Sequence, residues 1–117
     1  MASTVNTNEP QVNASGSDNL ALMKQNAAEA ARLLKALGND SRLLILCYLD
    51  GKELSVSELN TCLDLSQSAL SQHLAVLRRD GLVKTRRESQ TIYYSLHGDK
   101  AIRLISTLHE IFCPPEA

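Results

Sequence analysis

Nowhere in the 117 residues is there an apolar run of 18, and the N-terminus has neither the basic start nor the apolar stretch of a secretory leader. The expectation is a cytoplasmic protein with no membrane partner. Also missing are a glycine-rich phosphate cradle, a recognisable pair of carboxylates, and a nucleophile set beside a base and an orienting group. An enzyme and a bound cofactor are therefore not expected. Aromatic residues make up only 3% and the formal net charge is -1, so any affinity for a polyanion must come from a local patch. There are only three cysteines, and a reducing cytoplasm excludes a permanent disulfide framework, leaving them buried, reactive or metal-binding. What remains is a chain that is 44% apolar, long enough for one domain with one core and without repeats at solenoid periods.

Residues 1–19 hold nine Ser, Thr or Asn, no Lys or Arg and no aromatic, a composition unable to offset the entropy of ordering. They are expected to form a disordered tail. From Leu20 the apolar positions Met23, Ala27, Ala30, Leu34 and Leu37 recur at helical spacing until Gly38. Asn39 or Asp40 can cap a second helix, whose run Leu43 to Cys47 is apolar nearly all round, as in a buried element. Ser55 and Glu58 form a capping box for a short third helix with Leu59, Cys62 and Leu63 on its inner face. On that face Cys62 reads as a packed, inert thiol. Ser66 can cap a fourth helix with Leu70, Leu74 and Leu77 inward, closed by Asp80-Gly81. The period then shortens: Leu82 to Arg87 suits a strand, Ile92, Tyr94 and Leu96 alternate with Tyr93 and Ser95, and Glu88-Ser89-Gln90 supplies the tip. Asp99 can start a last helix, stopped by Pro114-Pro115, which leaves 114–117 as a C-terminal tail.

The predicted order is four helices, two strands and a fifth helix, a mainly α (α+β) domain over residues 20–113. The third and fourth helices, joined by the turn Asp64-Leu65, make a helix-turn-helix, whose second helix can present its first residues to base edges in the major groove. Gln67 and Gln72 carry amides able to pair with adenine, while Ser68 and Ser71 are short enough for close approach. Between Ser66 and Arg103 stand Arg78, Arg79, Lys84, Arg86, Arg87, Lys100 and Arg103 against Asp80, Glu88 and Asp99, a local excess of four positive charges. Arg86 and Arg87 lie near the hairpin tip, where a wing can reach phosphates or the minor groove. Taken singly, each feature is equally a polar helix face or a solvated charge cluster. Together and in order they point to a double-stranded DNA partner.

The phrases Leu33-Leu34-Lys35-Ala36-Leu37, Ser41 to Leu46, Glu53-Leu54-Ser55-Val56, Leu65 to Leu74 and Arg79 to Val83 resemble the ArsR/SmtB repressor family over about residues 20–113. The resemblance implies a winged helix-turn-helix homodimer, joined through the first and last helices and bound to a palindromic operator. It makes His73, within the recognition phrase, a packing residue or a phosphate contact.

Many members of this family sense metals, and the resemblance can be tested position by position. The arsenic and cadmium type has two thiols at the start of the third helix, where this chain reads Ser55-Val56-Ser57. The zinc type has ligand pairs on the last helix, where it reads Gly98 and Lys100, then Ile111 and Pro114. No metal site is expected, and His97 and His109 read as solvated or core residues. The residues alone leave Cys47 open between a small buried hydrophobe and a reactive thiol, and Cys113 between an exposed accident and its partner. The resemblance of Ile45-Leu46-Cys47 and Ile111-Phe112-Cys113 is to the dithiol subgroup that senses sulfide-derived persulfides and polysulfides. It implies that Cys47 and Cys113 react together with reactive sulfur species and lower DNA affinity. A metal-responsive repressor, or a winged-helix regulator without thiol sensing, is the alternative.

Overall fold

A computed structural model of the chain describes residues 11–115, with side chains from Asp18 onward. The elements run α1 (Gln11–Leu37), α2 (Asp40–Tyr48), β1 (Leu54–Ser55), α3 (Val56–Cys62), α4 (Gln67–Arg79), β2 (Val83–Glu88), β3 (Thr91–Leu96) and α5 (Asp99–Phe112). The chain divides into two compact units between Leu34 and Lys35.

The first unit carries α1 as far as Leu34. The helix starts at Gln11, nine residues before the Leu20 expected from periodicity (20 less 11), so the part of the expected tail from 11 to 19 is helical. Residues 1–10 lie outside the described residues. Once the apolar stretch has nucleated a helix, each added residue costs only its own propensity, a few tenths of a kcal/mol for Asn, Ser or Asp. Polarity alone therefore does not end a helix. Leu20, Leu22, Met23 and Leu34 are exposed here.

In the second unit Ala36 and Leu37 are buried at the end of α1, and the Arg42 side chain donates to the carbonyls of Ala36 (2.8 Å) and Lys35 (3.3 Å), closing that terminus. Asn39 caps α2 by accepting from the Arg42 N–H at 3.1 Å. Ile45, Leu46 and Leu49 are fully buried with Leu59, Leu70, Leu77 and Ile105, and this set is the core. Leu44 is 50% exposed, so α2 is not apolar toward the interior on all sides. An all-apolar run hides which face looks outward.

The capping box forms in full. Ser55 N–H donates to Glu58 Oε1 at 2.8 Å, and Glu58 N–H donates to Ser55 Oγ at 3.1 Å. Ser66 Oγ accepts from Ala69 N–H at 3.0 Å to start α4. At its other end Gly81, with φ +75°, lets its N–H reach the Arg78 carbonyl and that of Leu82 reach the Leu77 carbonyl, which turns buried Leu82 back onto the helix.

The sheet has three strands in the order β1-β3-β2, all antiparallel. The hairpin pairs Val83 with Leu96 through Glu88 with Thr91 around a two-residue turn, Ser89-Gln90. The third strand was not expected. β1 is two residues long, too short for a period to show, and it pairs Leu54 with Tyr94 and Ser55 with Tyr93. Because β3 is thereby central, Ile92 to Ser95 are all half-buried and the expected alternation is absent.

Candidate nucleic-acid interface and thiol pair

Buried Leu70, Leu74 and Leu77 fix the inward face of α4, and 3.6 residues per turn then put Gln67, Ser68, Ser71, Gln72 and Ala75 outward, where all are exposed. Arg78 and Arg79 continue that face at the C-terminal end. Arg79 Nε sits 3.3 Å from Asp80 Oδ1. His73 is half-buried, at the edge of the face rather than on it.

The two wing arginines differ. Arg87 is exposed and makes no ion pair among the described residues. Arg86 is already engaged: its Nε and Nη2 donate to Glu53 at 3.0 and 2.9 Å, its Nη1 lies 3.6 Å from Glu88, and its guanidinium stacks 4.8 Å from the centre of the Tyr93 ring. This hydrogen bonding holds the Glu53 carboxyl below the usual carboxylate range and pushes Arg86 up. Arg86, expected to serve phosphates as Arg87 does, is bonded to Glu53 in the free chain, so a phosphate would compete with that carboxylate for its donor fork. Glu53 was missed because it pairs across a strand too short to read.

The cysteines fall into two places. Cys62 is exposed, not packed. Leu59 is the buried residue of α3, and Cys62 is its last residue, beyond which buried Leu63 is already extended, so the core is closed by Leu63 and leaves Cys62 outside. Cys47 on α2 is half-buried and Cys113, the C-cap of α5, is exposed. Cys113 lies near enough to Cys47 to act on its thiol. Burial pushes the Cys47 thiol up, and the nearby Cys113 and Asp50 push it further. Beside them the His109 ring Nδ1 lies 3.4 Å from Asp50 Oδ2. Asp50 and His109 were not tied to the thiols by sequence; each is one turn from a cysteine, Asp50 after Cys47 and His109 before Cys113, and that spacing is the signal. Among the described residues no three His, Cys, Asp or Glu side chains stand close enough to share a metal ion, and no helix is long and apolar enough to cross a membrane.

A helix pair with an exposed polar second helix, followed by a basic antiparallel hairpin, defines a winged helix-turn-helix DNA-binding domain. The model of the bacterial regulatory protein, arsR family, matches residues 39–85. The chain is 56% identical over 95 residues to the transcriptional activator HlyU of Vibrio cholerae, covering 81% of this chain and 88% of that protein. It is 50% identical over 97 residues to the biofilm growth-associated repressor of Agrobacterium fabrum, covering 83% of each. The structure of reduced HlyU from Vibrio cholerae superimposes with a TM-score of 0.75, over 78% of this chain and 96% of that one. The chain belongs to the ArsR family and is a DNA-binding transcriptional regulator. Its relatives are regulators, not enzymes.

Proposed function

We propose that the chain acts as a homodimeric, cytoplasmic repressor that reads a palindromic operator and releases it when Cys47 and Cys113 are joined through sulfur. The observation that supports this reading is the meeting of the ends of α2 and α5, where His109 Nδ1 lies 3.4 Å from Asp50 Oδ2 and each of the two stands one turn from a cysteine. On the DNA side, Gln67, Ser68, Ser71 and Gln72 read bases, Arg78, Arg79 and Arg87 contact phosphates, Arg86 shapes the wing, and His73 packs at the edge of the face. A relative with 56% identity has been solved in a reduced form, which suits a regulator whose cysteines change state.

The chemistry balances with an inorganic polysulfide, hydrogen trisulfide, as both oxidant and sulfur donor. Exposed Cys113, as thiolate, attacks the central sulfur of the trisulfide and expels HS⁻, leaving a Cys113 hydrotrisulfide, Sγ–S–SH. Cys47, after losing its proton to solvent, attacks the inner of the two added sulfurs and expels the outer one as a second HS⁻. The product is a Cys47–S–Cys113 trisulfide, formed from two thiols and one hydrogen trisulfide with release of two molecules of hydrogen sulfide. A direct disulfide requires Cα atoms within about 7 Å and an inserted sulfur tolerates a wider gap, so thiols set just beyond disulfide reach would favour polysulfide over peroxide. Closing the bridge draws α5 toward α2. In a dimer whose recognition helices must match half-sites about 34 Å apart, a small rotation weakens both contacts together.

The test is operator binding by fluorescence anisotropy, with mass spectrometry, before and after sodium trisulfide. The parent chain and Cys62→Ser should release DNA and show an intrachain link carrying extra sulfur. Cys47→Ser and Cys113→Ser should bind normally and not release. Release by the double variant Cys47→Ser, Cys113→Ser would overturn the reading.

A further inference from the structure

Besides the two free thiols, the ends of α2 and α5 are joined by the Asp50–His109 contact. Cys47 and Asp50 lie one turn apart, and Asp50 N–H donates to the Cys47 carbonyl at 3.2 Å. His109 and Cys113 lie one turn apart, and Cys113 N–H donates to the His109 carbonyl at 2.8 Å. Each thiol-bearing residue is thus tied through the backbone to one member of the Asp50–His109 pair, whose side chains meet at 3.4 Å.

We infer that Asp50 and His109 are positioning residues for the thiol switch, a clamp that holds the last turn of α5 against α2 so that Cys113 stays opposite Cys47. The inference rests on the dithiol reading above. Cys113 needs such a clamp. It is the C-cap of its helix, and Ile111, Phe112 and Pro114 around it are all exposed in the single chain, so no burial within the chain itself holds this turn against α2. A helix end with no packed side chain frays, and the His109 side chain reaches back one turn earlier to a residue on the facing element. Asp50 is 30% exposed and His109 40%, so the pair is partly shielded from water and works over a short distance. The clamp acts on the second sulfur step. Attack by Cys113 on free polysulfide needs no partner, whereas attack by Cys47 on the Cys113 hydrotrisulfide depends on how often the two meet, which is an effective concentration set by the clamp.

Among the described residues, the titratable groups brought together at this junction are Cys47 and Asp50 on the α2 side and His109 and Cys113 on the α5 side. A variant at His109 leaves both thiols in place, and His109→Arg sets a hydrogen-bond donor of fixed charge opposite Asp50. These separate positioning from general loss of structure.

The experiment uses the full chain carrying Cys62→Ser, treated with sodium trisulfide and quenched at intervals for mass spectrometry. His109→Ala should reduce the ratio of bridged chain to Cys113 hydrotrisulfide by about tenfold, the scale of a lost orienting contact. Alkylation of Cys113 by iodoacetamide and the melting temperature should stay near those of the parent. His109→Arg should restore the ratio. Asp50→Asn combined with His109→Ala should be no worse than His109→Ala alone, because the two act as one pair. Parent-like bridging by His109→Ala, or a loss that His109→Arg does not restore, overturns the clamp and leaves the thiol switch standing. A parent chain that forms no bridge overturns the switch, and the clamp with it.

Discussion

At Cys47 the surroundings hold the sulfur in its protonated form: burial first, then Cys113 and Asp50 as neighbouring negative charges when ionised. Because the thiolate is the nucleophile, alkylation of Cys47 in a Cys62→Ser, Cys113→Ser chain should rise with pH along a curve whose midpoint lies above the ordinary thiol range. Asp50→Asn should move it down, and the check is a pH–rate profile with iodoacetamide. A midpoint unmoved by Asp50→Asn would remove that carboxylate from the site. Glu53 responds in the opposite sense. Its carboxyl is held below its unfolded value by the Arg86 hydrogen bonds, so whatever the pair contributes is present above that value and is lost as pH falls through the folded one. Both groups are open to solvent, and the effect belongs to wing geometry, not to stability. Glu53→Gln should free a cation and steepen the salt dependence of DNA binding by up to about one phosphate contact, read from anisotropy titrations at several salt concentrations. Ser89 has φ +56° in the first turn position, where a side chain is strained, so Ser89→Gly should raise stability by about 0.5–1 kcal/mol in a thermal melt.

On α4 the exposed polar face and the inward leucines assign different jobs to residues only a turn apart. Gln72→Ala should cost about 1–3 kcal/mol on the operator and little on random DNA, whereas Arg87→Ala should weaken both and flatten the salt slope. Equal losses on both DNAs for Gln72→Ala would remove it from base reading. The starts of these helices were legible because caps are local. Asn39, Ser55 with Glu58, and Ser66 each satisfy a backbone N–H within three residues, so the chemistry lies wholly in adjacent letters. Elements whose existence depends on a distant partner were not. β1 is a strand only because β3 lies beside it, and Glu53 matters only because that pairing brings Arg86 within reach. Cys62 was misread for a related reason: a seven-residue helix has barely two turns, and the extended Leu63 that closes the core beyond it leaves Cys62 free to face water. The thiol pair was suggested by resemblance, while its neighbours Asp50 and His109 became visible only once α2 and α5 met.

For the molecule as a whole, the exposed apolar side chains call for a cover. Leu20, Leu22, Met23 and Leu34 on α1, and Ile102, Ile111 and Phe112 on α5, are each between 46% and 75% exposed in the single chain. Each of the two sets marks an interaction face of its own unit, and a second copy is the occupant we propose for both. Leu34→Asp and Ile111→Asp cost an isolated folded chain little, because both positions already face water. In a dimer each would set charge into an apolar seam. Sedimentation should therefore show folded species of half the parent mass, with operator affinity reduced at least about tenfold, the scale of lost bivalent binding. An unchanged mass in both variants would move the interface elsewhere. One junction bears on how any movement at such a seam is carried onward. Ser55 is both the last residue of β1 and the residue whose hydroxyl opens α3, and it is buried. No spacer separates the sheet from the helix pair, so β1 and α3 are geared together without backlash. A single residue inserted after Ser55 would act as a clutch, letting one turn while the other stands still.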